Sequence, residues 1–155
     1  MAVNPSDWLD SKNAAGTRAR QKGDPLEYAT VIAALRAGVR QVARGVRLSI
    51  ALPDSAGSQL HAELDVVFTY RGRLWVIEVK DRKEVEGARA LIKEKIVAAW
   101  EVGGDLGRFV YVSRTVPGPD LLAFAKSLGV AIVPKGNLRN GMSQLLKEQP
   151  RPHLP

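Results

Sequence analysis

Asp65, Glu78 and Lys80 are the residues whose types and spacing most invite chemistry. They lie in "ELDVVFTYRGRLWVIEVKDRK" (residues 63–83), which reads as two apolar strands joined by a turn. Charged groups in such runs cost free energy unless partners replace the water they lose. If the hairpin turns symmetrically about Arg71-Gly72, Tyr70 faces Arg73 and Asp65 faces Glu78. Opposed residues on antiparallel strands set their side-chain bases roughly 4.5–5.5 Å apart, so two carboxylates share one face. Lys80, two residues beyond Glu78, projects from that same face. Adjacent carboxylates repel unless a cation sits between them. Lys80 supplies one solution, a structural ion pair. A divalent metal is the other, because Asp and Glu oxygens with open water positions suit Mg²⁺ or Mn²⁺. Spacing alone leaves both standing.

The flanking elements must position this hairpin. Ahead of it, "GDPLEYATVIAALRAGVRQVARG" has helical spacing at Leu26, Thr30, Ala33, Ala34 and Ala37, with Asp24 as a cap, Pro25 in the first turn and Gly45 as the end. Val46 to Leu52 alternates as a half-buried strand does, and "PDSAGSQ" is turn chemistry. After the hairpin, "KEVEGARALIKEKIVAAWEVGG" predicts a second helix through Val85, Ala88, Ile92, Ile96 and Ala99, closed by Gly103 and Gly104. "GRFVYVS" reads as a buried strand, "PDLLAFAKSLG" as a helix, "VAIVP" as a last strand and "NLRNGMSQLLKE" as a short terminal helix. The fold class is therefore α/β. A helix, a three-strand meander, a helix, a strand, a helix and a strand build one mixed central sheet flanked by helices.

Residues 1–22 form a polar, basic arm, residues 23–148 one domain, and residues 149–155 a tail. With 45% hydrophobic and 25% charged residues, the composition is that of an ordinary globular domain. No cysteine is present, which excludes disulfides and thiolate metal sites. The N-terminal stretch lacks the apolar core of a signal peptide, and no run is long enough to span a membrane. The expected location is cytoplasmic. Lys and Arg number 23 against 16 acids, a formal charge of +7, which suits a polyanionic partner such as nucleic acid but is equally ordinary solubility charge.

An acid in one strand and Glu-x-Lys in the next, after a helix carrying another Glu, resembles the PD-(D/E)xK nuclease superfamily. Here the pattern is Asp65, then Glu78-Val79-Lys80, with Glu27 in the preceding helix. The text "ELDVVFTYRGRLWVIEVKD", with "GGDLGRFVYVSR" and "AKSLGVAIV" downstream, is similar to the nuclease domain of CRISPR-associated effectors in which a CARF sensor precedes the nuclease. The resemblance runs from residue 24 to 134. It implies a restriction-endonuclease-like fold and metal-dependent hydrolysis of phosphodiester bonds in DNA or RNA, within CRISPR-linked or other anti-phage defence. It implies Mg²⁺ or Mn²⁺ held by Asp65, Glu78 and the Val79 main-chain carbonyl, with Glu27 completing the cluster directly or through water. Lys80 would orient the attacking water and stabilise developing negative charge. The stretch ahead of the first helix is too short for a sensor domain. The expectation is therefore a standalone nuclease, an excised domain or one controlled by a separate activator, and a homodimer is compatible with the resemblance. The alternatives are a catalytically silent nucleic-acid-binding module and a subunit activated by a partner.

The remaining candidates carry plainer readings beside the functional one. Glu27 with Asp24 has capping-box spacing. Lys93 and Lys95 are candidate nucleic-acid contacts on the second helix, or part of a solvated face. Ser113 and Arg114 end a strand at its carboxyl edge, where open sheets place ligands, or simply make a turn. His61, ahead of the metal strand, could reach a phosphate or stand exposed in a loop. Trp75 alternates away from Glu78 and is expected in the core.

Overall fold

A computed structural model describes residues 25–51, 59–81, 87–149 and 151–153; for residues 50, 51, 59 and 60 the backbone alone is described. The basic arm, Asp24, Leu52, residues 53–58 of the predicted turn and the start of the second predicted helix, including Val85, lie outside the described residues. Among the described residues, α1 (Pro25–Arg36) precedes strands β1 (Val42–Ala51), β2 (Gln59–Tyr70) and β3 (Arg73–Lys80). Then come α2 (Ala88–Gly103), β4 (Gly107–Ser113), α3 (Pro119–Ser127), β5 (Ala131–Pro134) and α4 (Leu138–Glu148). The sheet order is β1-β2-β3-β4-β5. The first three strands pair antiparallel, and β3, β4 and β5 pair parallel. The mixed sheet flanked by helices expected from the sequence is the fold found.

Helix α1 is shorter than its sequence suggests. It ends at Arg36, and β1 begins at Val42, where the helical reading continued to Gly45 and placed the strand start at Val46. Gly38 is the reason. Its φ of +103° is open to glycine, and the N–H groups of Gly38 and Val39 donate back to the carbonyls of Leu35 and Ala34 (3.1 Å each). That is a Schellman closure, with buried Val39 as its apolar anchor. Released from the helix, Val42 pairs with Phe68 instead.

Apolar clusters cover both sheet faces. Leu26 and Ala34 of α1 and Met142 and Leu146 of α4 pack with Phe68, Trp75 and Ile77. Phe68 and Trp75 stack with ring centroids 6.1 Å apart. Trp75 is fully buried, as its alternation predicted. On the opposite side, Ile92 and Ile96 of α2 and Leu121 and Ala125 of α3 pack with Val76, Phe109 and Tyr111.

Strands β1 and β2 do not keep strict alternation. Val66 and Phe68 belong to the α1–α4 side, but Leu64 and Ala62 belong to the α2–α3 side. On β1, Val42 packs with the first cluster, and Val46 and Leu48 with the second. The change of face falls at Asp65 and at Gly45, the gap between the pairs Arg44–Val66 and Val46–Leu64. Gly45 has φ +57°, a conformation that lets the strand kink there. The β2–β3 ladder also ends here, at Val66–Ile77. Asp65 thus stands where β2 parts from β3.

Residues 151–153, within the segment expected as a tail, make contacts with the domain. His153 N–H donates to the Leu128 carbonyl (2.7 Å), Pro152 is buried, and Arg151 pairs with Asp105 (2.5 Å) while lying over the Trp100 ring.

Candidate functional site

Glu78 is the centre of the site. β3 is covered on both faces, so its residues form an unbroken buried run to which Glu78, 2% exposed, belongs. A buried carboxylate needs partners, and two lysines supply them. Lys80 Nζ lies 2.6 Å from Oε1, and Lys95 Nζ lies 3.4 Å from Oε2. Oε2 is buried and has no hydrogen bond among the described residues, so the Lys95 contact is an ion pair at a longer reach. The Lys95 ammonium also donates to the Glu63 carbonyl, tying α2 to β2 where that strand has left β3.

Asp65 reaches the same place by a route other than a ladder pair. Its Oδ2 accepts from the Val79 N–H at 2.7 Å, so a side chain takes the backbone donor just past the last β2–β3 pair. Burial, then the Glu78 charge, push the Asp65 carboxyl up to about 6; the Val79 N–H and Lys80 pull against them, and Glu27 adds to the rise. Desolvation works against the charge on Lys80, but its hydrogen bond to Glu78 and the charges of Glu78 and Asp65 outweigh it and hold the ammonium above its ordinary value. Tyr111, opposite Glu78 on β4, has its hydroxyl pushed up by burial, with Lys80 lowering and Glu78 raising it.

The structure therefore brings Asp65, Glu78 and Lys80 together. Glu27 stands at the border: its Oε1 accepts from Arg44 Nε at 2.8 Å, while its charge is still felt at Asp65. Lys95 turns inward, 5% exposed, rather than to solvent. Lys93 is exposed, with its ammonium 5.8 Å from the centre of the Phe124 ring, which Arg89 also overlies. Arg114 is exposed and pairs with Asp81 at 2.9 Å. Ser113 donates to the Thr115 carbonyl at 2.7 Å, the turn reading of that residue. His61 is exposed within β2, across from Ser49, rather than in a loop ahead of the strand. Sequence reasoning passed over Tyr111 and Arg44. The parallel register that sets Tyr111 beside Glu78 joins strands separated by a whole helix, and no local pattern signals it.

Two carboxylates meet at the site; no group of three His, Asp or Glu side chains among the described residues forms a metal cage. The donors nevertheless fit a hard divalent ion. They are oxygens, Glu78 Oε2 has no hydrogen bond among the described residues, and burial, then the Glu78 charge, raise the Asp65 carboxyl, a cost that a cation beside it would relieve.

No protein-family model matches the sequence, and no curated protein does. Solved structures do match. Protein VC1899 from Vibrio cholerae has a TM-score of 0.66 at 18% identity, over 88% of this chain and 36% of that protein. Can2 from Sulfobacillus thermosulfidooxidans, solved with cyclic tetra-adenylate, has a TM-score of 0.65 at 18% identity, over 94% of this chain and 46% of Can2. AF1548, a protein of unknown function, has a TM-score of 0.54 at 15% identity, over 70% and 57%. The fold is shared with Can2. This chain spans less than half the length of VC1899 and of Can2. Among the described residues, no helix is long and apolar enough to cross a membrane.

Proposed function

We propose that this chain is a metal-dependent nuclease of the PD-(D/E)xK type, hydrolysing phosphodiester bonds of DNA or RNA in a CRISPR-linked or other anti-phage setting. The observation that carries the reading is the meeting of Asp65 and Glu78, with Lys80 beside them, at the point where β2 parts from β3. The fold shared with Can2 supports it. Asp65 and Glu78 would hold Mg²⁺ or Mn²⁺, with the Val79 carbonyl and, directly or through water, Glu27. The chemistry supplied by the bound ion is polarisation of the phosphate and a lowered pKa for water.

The chain's own residues do the rest. The Val79 N–H fixes the direction of the Asp65 carboxylate, and Lys95 holds the buried Glu78 from below. Lys80, paired with Glu78 in the structure, would orient the attacking water and stabilise the negative charge that develops on the phosphate. Tyr111 and the apolar wall behind it keep bulk water from Glu78.

A second reading has an observation of its own. Each Glu78 oxygen already faces an ammonium, so the cluster is compatible with a silent nucleic-acid-binding module or a subunit that needs an activator. One experiment separates them: cleavage of labelled single-stranded DNA, duplex DNA and RNA with Mg²⁺, Mn²⁺ or EDTA, beside Glu78→Gln. Metal-dependent cutting lost in the variant supports the nuclease. Binding with no cutting of any substrate overturns self-sufficient cleavage in favour of the silent module or a subunit awaiting its activator.

A further inference from the structure

Away from the carboxylates, a cleft of about 290 Å³ opens between the end of α1 and the start of α4. Ala33 of α1 and Ala37, just past the end of that helix, form one wall, and their short side chains leave the space open. Arg36 stands on the same side, and Arg139, Asn140 and Ser143 line it from α4. Two arginines, an asparagine and a serine thus border one concavity, and none of its described lining residues is acidic.

Neither Arg36 nor Arg139 has an ion-pair partner among the described residues. Elsewhere in this basic chain, Arg44, Arg47, Arg114 and Arg151 each meet a carboxylate. Arg36 and Arg139 are both exposed at the cleft, so an anion seated there can meet both charges. Arg139 and Asn140 also lie in the first turn of α4, a helix with no side-chain cap, whose dipole favours negative charge at that end. A planar guanidinium matches phosphate oxygens two at a time, and Asn140 and Ser143 add donors for remaining oxygens or a sugar hydroxyl.

We infer that the α1–α4 cleft binds a phosphate-bearing anion of nucleotide size through Arg36 and Arg139. Arg36 is nine residues beyond Glu27, about 13 Å along α1, so the bound phosphate is separate from the carboxylate site. The source is either the backbone of a nucleic-acid strand or a free nucleotide. The inference stands whether or not the protein cleaves nucleic acid.

The test is binding to the full chain in EDTA and low salt, with inorganic phosphate, AMP and a fluorescent oligonucleotide as probes. Three proteins are compared: the unaltered chain, Arg36→Gln/Arg139→Gln and Ala37→Leu. Removing both guanidinium groups should weaken binding by at least about a hundredfold, near tenfold for each charged hydrogen bond. Ala37→Leu fills the cleft with both charges kept, and should weaken it by about tenfold or more. A response to AMP and phosphate identifies a nucleotide site, and a response to the oligonucleotide alone identifies a strand contact; either supports the inference. It is overturned if no probe binds, or if the double variant or Ala37→Leu, shown folded by circular dichroism, binds as the unaltered chain does.

Discussion

Asp65→Asn is the most informative perturbation of the carboxylate site, because it removes a charge and keeps an oxygen for the Val79 N–H. In the folded chain the Asp65 carboxyl is raised from 3.8 to about 6. A carboxyl whose folded value exceeds its unfolded value costs stability when ionised. Above about pH 6 the full cost is present; it declines as the pH falls from 6 to 3.8 and is gone below that. The difference corresponds to at most about 3 kcal/mol, less whatever solvent screening the half-buried group retains. In EDTA at pH 7.5, Asp65→Asn should therefore be more stable than the unaltered protein by up to about 3 kcal/mol. In a chain of this length that is up to about 10 °C in Tm. The advantage should shrink steadily toward pH 4. Urea unfolding from pH 4 to 8 measures it directly. Adding Mn²⁺ at pH 7.5 should then stabilise the unaltered chain and much less the variant, because the cost being relieved is the charge on Asp65. A variant less stable at pH 7.5, or one whose advantage is the same at every pH, would refute the reasoning.

Glu78→Ala should lose about 3 kcal/mol or more, since it strands the buried Lys95 ammonium, and Glu78→Gln should lose clearly less; urea midpoints compare them. Lys80→Ala should lower turnover more than it lowers Mn²⁺ affinity, so single-turnover cleavage and metal titration must be read together. If both fall equally, Lys80 is a structural ion-pair partner only. Gly107→Ala should cost about 2 kcal/mol or more, because its Cβ would stand 2.5 Å from the Ala99 carbonyl oxygen of α2; an unchanged Tm would show that α2 can shift. Nucleic-acid binding should weaken steeply with added salt if the +7 charge is functional, and a flat response in a filter-binding assay would return that charge to solubility.

Much of the site was legible in the chain. The turn at Arg71-Gly72 pairs Tyr70 with Arg73, as its symmetry required, and the apolar runs on either side became β2 and β3. Asp65, Glu78 and Lys80 then had to fall near one another. The end of helix α1 is not legible in the sequence, because the apolar recurrence past Gly38 fits a strand as well as a helix. Only the closure by Gly38 and Val39 decides between them. In sequence Lys95 is a candidate nucleic-acid contact or part of a solvated face, since its flanks, Lys93 and Glu94, are charged. Its burial depends on Glu78, on a different element.

The sequence by itself determined the element order, the centre of the hairpin and the residue types brought to it, because periodicity and turn chemistry are local. Tertiary structure alone decided where β1 and β2 change faces, that Asp65 bonds to Val79 instead of pairing with Glu78, and that two lysines share one buried carboxylate. Those outcomes depend on which surfaces cover each other and exclude water. That is a property of packing between distant segments, and it sets both the partners of a charge and its readiness to hold a proton.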